Sequence, residues 1–96
     1  MNQNKNEPQK YVVNLRDDVR DVVTLSNEHE HLGRTVRIIR TGSLCNVVGK
    51  ITAAYMATVY EPGGRDVFYT VETPEEGGVV TMITDVHWQD FIRTNS

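Results

Sequence analysis

The stretch GRTVRIIRTGSLCNVVGKI, residues 33–51, sets two β-branched runs on either side of a Gly-Ser turn, with a second glycine just ahead of a lysine. In TVRIIRT the apolar period is two. Val36 and Ile38 fall on one face, and Thr35, Arg37 and Ile39 on the other. That alternation predicts a strand half-buried against a core. Beyond the TGSLCN turn, VVGKITAAYMATVY is long enough to bend, and Gly49 within it suits a bulge or a close backbone approach.

Working outward, EPGG at residues 61–64 reads as a type II turn, Pro62 presetting φ and Gly63 supplying a positive φ. RDVFYTVET then returns. A tight turn would place Tyr60 opposite Arg65, Met56 opposite Tyr69 and Ala54 opposite Val71, with Ala57 opposite Phe68 on the other side. Both sides of this hairpin are partly apolar, as expected where it lies between a core and a second buried surface. TPEEGG is a further turn and VVTMIT a further strand. DVHWQDF reads as one helical turn led by Asp85, and FIRT as a last short strand.

Upstream the period is helical. Leu15, Val19, Val22 and Val23 stand at i, i+4, i+7 and i+8, Asn14 suits an N-cap, and Asp17 and Asp18 favour the helix dipole. A short N-terminal helix is the expectation. The competing reading is two strands, YVVNL and DVVTL, around RDDVR, which the valines favour. The connector SNEHEHLG carries His29 and His31 at i and i+2, the one metal-like spacing in the chain. Two ligands make an incomplete site, so a solvated linker is expected and no metal. The organisation is then a disordered lead-in at 1–10, a helix and connector at 11–32, and a strand-built unit at 33–96. This is a mainly β (α+β) chain.

Ninety-six residues suit one domain. No apolar run approaches the roughly 20 residues that cross a bilayer, and MNQNKNEPQK lacks the apolar centre of a secretory signal. Cys45 is the single cysteine, expected to be buried and inert in a cytoplasmic protein. Charge is uneven. Residues 1–50 carry eight Lys and Arg against six Asp and Glu, whereas residues 51–96 carry two against seven. A general nucleic-acid binder offers phosphates a basic face. This acidic chain offers only the cluster Arg34, Arg37, Arg40 and Lys50.

The run Gly33, Val36 to Arg40, Ser43, Asn46 and Val48 to Ile51 resembles the start of SH3-like barrels of the KOW type. The likeness is greatest to the photosystem I family of barrels that dock a soluble redox protein electrostatically. The resemblance implies an SH3-like small β-barrel of four or five strands, preceded here by the short helix, and a compact docking platform. FYTVETPEEGGVVTMITDVHWQDFI is similar to the end of the plasmid-borne type II dihydrofolate reductases. Their active-site Val-Gln-Ile-Tyr corresponds to Val80, Thr81, Met82 and Ile83, so the glutamine and tyrosine that engage cofactor and substrate are missing. That implies shared architecture without shared catalysis. KOW domains touch RNA or polymerase through the loop matching TGSLCN, which is uncharged here.

No phosphate loop or glycine-flanked nucleophile is present. Asp85 and His87 read as a cap and an outward side chain, with Trp88 packed on the barrel end. Phe68 and Trp88 are read as core. Tyr55 and Tyr60 are read as interface anchors on a projecting hairpin. The expected function is a non-enzymatic, regulatory protein-interaction module without cofactor. It would dock on a larger protein through Tyr55, Tyr60, Arg65, Tyr69, Glu75 and Glu76, the acidic turn favouring a basic partner. The alternatives are nucleic-acid binding through Arg34, Arg37, Arg40 and Lys50, and a ligand-binding barrel oligomer. A homodimer through the long hairpin is a further expectation.

Overall fold

The computed structural model describes residues 7–26, 29–40, 42–60 and 63–94. Residues 1–6 of the expected 1–10 lead-in lie outside the described residues, as do Glu61 and Pro62 of the expected type II turn, whereas Gln9 and Lys10 of that lead-in belong to a strand. In chain order the elements are β1 (Gln9–Asn14), β2 (Val19–Thr24), β3 (Thr35–Ile38), β4 (Val48–Val59), β5 (Arg65–Glu72), β6 (Val79–His87), a 3-10 turn (Trp88–Asp90) and β7 (Phe91–Arg93). They make a single seven-stranded sheet in the order β1-β6-β5-β4-β3-β7, with β2 also paired to β4. The fold is mainly β, and the sheet does not close on itself.

The period-two reading of residues 35–38 holds, since Val36 and Ile38 are buried and Arg37 is exposed. β7 returns to pair with β3, Phe91 opposite Ile38 and Arg93 opposite Val36. Gly49 is a close approach: a Cβ there would sit 2.7 Å from both the Glu72 carbonyl oxygen and Val71 Cγ1. In the β4–β5 hairpin Thr58 faces Arg65, Met56 faces Val67 and Ala54 faces Tyr69. Each pairing lies two residues from the expected one, because Val59 N–H already donates to the Gly64 carbonyl at 2.9 Å. An even shift keeps every side chain on its expected face.

The N-terminal helix is not formed. Residues 9–14 pair in parallel with β6, and residues 19–24 pair antiparallel with the far half of β4. The strand alternative wins for two physical reasons. β-Branched side chains lose less rotamer freedom in a strand than in a helix, and a helix here would leave the edges of β6 and β4 without partners. The helical pattern also misassigned burial: Leu15 and Val19 pack against the cores, whereas Val22 and Val23 are exposed.

Three bulges bend the sheet. Asp21 and Val22 of β2 oppose Ala57, Thr52 is the extra residue of β4, and Thr84 and Asp85 of β6 oppose Thr70. Asp21 and Asp85 sit at φ 53 and 63, the left-handed region that Asp tolerates better than most residues. The bend gives the β4–β5 hairpin two buried faces. Ala54 and Tyr69 join Val36, Ile38, Ile51, Val71, Ile83, Val86 and Phe91 in the main core. On the other face Tyr55, Ala57, Val59 and Phe68 form a smaller cluster, with Val19 packed against it. The Arg16 guanidinium lies 5.8 Å over the Phe68 ring.

Gly49→Ala is expected to lower unfolding stability by about 1–3 kcal/mol, because backbone and a buried valine must both move to admit the methyl group. Chemical denaturation of the two proteins measures the difference.

Candidate interaction surface

The expected contact residues separate into two sets. Tyr60, Arg65, Glu75 and Glu76 are exposed, whereas Tyr55 and Tyr69 belong to the two cores. Tyr55 therefore is no surface anchor. The hairpin that carries it does not project: β4 is flanked by β5 on one edge and by β3 and β2 on the other. Tyr60 stacks under Arg20, whose Nε donates to the Tyr60 hydroxyl at 2.9 Å.

The Tyr55 hydroxyl fastens the β6 bulge. It accepts from the Asp85 backbone N–H at 2.6 Å and donates to Asp85 Oδ1 at 2.6 Å. Burial, and then the bond to Asp85, pushes this phenol well above its ordinary pKa, so it remains protonated. Asp85 is thus a bulge residue and not the cap of the helical turn. His87 caps that turn instead: its Nδ1 accepts from the Gln89 N–H at 3.2 Å. The other ring nitrogen, Nε2, then carries the proton and donates to Asp66 Oδ2 at 2.6 Å. Burial raises the Asp66 pKa, but the His87 and Val67 hydrogen bonds outweigh it and hold the carboxyl below its ordinary value. Both nitrogens of His87 are engaged, which removes it as a free general base. His87 packs on Phe68 and Trp88 stands exposed, the reverse of their expected placement.

His29 and His31 pack edge-on against Tyr69 at 5.5 and 5.4 Å between ring centroids. His29 Nδ1 accepts from the His31 N–H at 3.3 Å, which occupies one potential ligand atom. Among the described residues no group of three His, Cys, Asp or Glu side chains is arranged to hold a metal. The histidines are part of the wall of the core and not a solvated linker. His31 Nδ1 is buried without a hydrogen-bond partner. Burial lowers the His31 pKa, Glu30 opposes this, and His29, Arg93 and Arg34 reinforce it.

The cations Arg34, Arg37, Arg40 and Lys50 are all exposed. Arg37 and Lys50 share the outer face, since Thr35 pairs with Lys50 and Arg37 with Val48. Acidic groups interleave with them: Arg40 lies 3.9 Å from Asp90, and Lys50 stands opposite Glu72. Cys45 is exposed, in the turn before β4, and not buried as expected.

Among the described residues the surface holds a groove of about 630 Å³ between the 44–48 segment and the turn at 73–79. Leu44, Val47, Val48, Pro74 and Val79 line it together with Glu75 and Glu76. Val48 and Val79 are 41% and 38% exposed, so apolar surface lies bare beside two carboxylates. Val48, Thr73 and Pro74 also line a neighbouring hollow of about 350 Å³ that includes Lys50 and Glu72. The sequence signalled the acidic turn but not the groove, because the apolar wall comes from segments some thirty residues apart in the chain.

No family model, curated protein or solved structure matches the chain.

Two measurements check the buried groups. Tyr55→Phe leaves the Asp85 N–H at the bulge without its acceptor, so stability is expected to fall by about 1–3 kcal/mol. Urea denaturation reads this directly. His31 has a folded pKa below its unfolded value of about 6.5, so its neutral form is the one folding prefers. Stability is expected to be full above about pH 6.5 and to decline as pH falls through it. His31→Leu should flatten that decline and leave the steeper loss in the carboxylate range, to which Asp66 contributes. Melting curves across pH 4–8 separate the two.

Proposed function

We propose that the chain is a non-enzymatic docking module on an SH3-like barrel, and that its groove holds a basic, apolar, extended segment of a larger protein. The barrel reading draws support from the β6-β5-β4-β3-β7 order, with a helical turn just before the last strand and that strand returning to the first of the meander. Bulges in β4 and β6 supply the curvature such a wrapped sheet requires. The observation that carries the docking reading is the groove, in which bare valines lie beside Glu75 and Glu76. Alternate side chains of an extended peptide would meet the apolar and the acidic lining in turn.

The non-enzymatic part rests on the side chains that could do chemistry. Tyr55 and Asp85 are bonded to each other, and His87 is held between Gln89 and Asp66. The interleaving of Asp90 and Glu72 among the cations weighs against a phosphate-binding face. The acidic turn stays in the contact surface, and Tyr55 and Tyr69 leave it.

A labelled peptide alternating Lys and Val is expected to bind at low salt and weaken as salt rises, whereas its Glu-Val counterpart should not bind. Glu75→Gln with Glu76→Gln is expected to weaken binding on the order of tenfold at low salt and less at high salt. Fluorescence anisotropy reads both. Equal binding of the two peptides, or indifference to both substitutions and salt, overturns the groove assignment.

A further inference from the structure

The strand β1 ends the sheet order, and its outer edge has no partner strand among the described residues. Its ladder to β6 fixes which backbone groups point away. Gln9 N–H donates to the Gly78 carbonyl at 2.8 Å and Leu15 N–H to the Thr84 carbonyl at 3.1 Å. In a parallel ladder alternate residues serve one neighbour. Residues 9, 11, 13 and 15 therefore bond β6, and Lys10, Val12 and Asn14 direct N–H and C=O outward.

This edge lacks the usual guards. No bulge interrupts β1, whose register with β6 is unbroken from Gln9 to Asn14. β2, by contrast, carries the Asp21 bulge, and β7 has only three residues. The one charged side chain of β1 is Lys10, and its Nζ lies 3.6 Å from Glu72. Because Glu72 is on β5, Lys10 reaches back across β6 and away from the free edge. Between the polar residues Gln9, Lys10 and Asn14 the strand exposes apolar surface, Tyr11 at 64% and Val12 at 48%.

The geometry points to a second copy of this chain as the occupant, pairing β1 antiparallel with β1 about a two-fold axis at Val12. Pro8 has no N–H and stands at the next outward position on one side. The chain leaves the strand after Asn14, so Arg16 marks the limit on the other side. The midpoint between these limits is Val12. In that register Val12 meets Val12 of the second copy, and Lys10 meets Asn14, so like charges are never opposed. All outward N–H and C=O groups of Lys10, Val12 and Asn14 are then satisfied on both copies. A joint of one short strand per copy is small, so the dimer is concentration-dependent. The expected hairpin dimer is replaced, because β4 has partners on both edges and β5 is paired with β6 from Phe68 to Glu72.

The test combines mass and cross-linking. Sedimentation equilibrium over a wide concentration range is expected to give twice the chain mass at the upper end, and Val12→Lys to abolish it with an unchanged circular dichroism spectrum. Paired Cα atoms about 5.5 Å apart in such a ladder suit a disulfide. In a Cys45→Ser background, Val12→Cys is therefore expected to form a covalent dimer on mild oxidation. Val23→Cys on β2 should stay monomeric. The Cys experiment decides the matter even if Val12→Lys does not fold. A wild-type chain that is monomeric throughout, or cysteines that cross-link equally or not at all, overturns the proposal.

Discussion

The structure hangs on the bend in β4. A straight twelve-residue strand would present one face to one core, but Thr52 adds a residue that β5 does not match, and the strand turns there. Its first part pairs with β3 and its last part with β2, while β5 follows it along the other edge. Two cores result from one hairpin, on opposite faces. Gly49, just before the bend, removes the side chain that would hold Glu72 and Val71 away. A side chain at this position would force the Glu72 backbone or Val71 to shift.

The second bend, in β6, shows how polar groups serve curvature. Opposing two residues to Thr70 leaves Asp85 in a left-handed conformation with an N–H that no strand partner takes. A phenol reaching through from β4 accepts that N–H and returns its own proton to the carboxylate. The same cluster continues through Phe68 to His87 and Asp66, which fix the start of the 3-10 turn and so the return of β7. Residues that look like an acid-base constellation in one dimension are occupied in holding strand geometry. Apolar and acidic surface also lies exposed at the 44–48 and 73–79 segments, where the groove lies.

Legibility varied along the chain for physical reasons. β3 announced itself because it has one face on a core, so burial imposes the period of two seen at Val36 and Ile38; β4 and β5 have both faces partly buried and were legible as β-branched runs between glycine-marked turns. The hairpin register came out two residues away from expectation, since the 59–64 connection closes on Val59 and Gly64; the faces survived because the error was even. β1 and β2 misled because neither buries a full face. Val12, Val22 and Val23 are exposed, so their spacing answers to pairing with β6 and β4 and not to amphipathicity. Tyr55 and Tyr69 misled in another way: a tyrosine on a long hairpin reads alike whether its hydroxyl meets water or a buried carboxylate.

Residue order alone determined a mainly β chain, its turns at glycine, the late helical turn and the acidic tip at Glu75 and Glu76. These follow from backbone freedom and from local periodicity, which neighbours in the chain suffice to set. Only the tertiary structure decided that residues 9–14 and 19–24 are strands, that Tyr55 and Tyr69 are inside, that Trp88 is outside and that the outer edge of β1 has no partner strand among the described residues. Each of those depends on which distant segments pair and pack together, which is settled only once the sheet has formed.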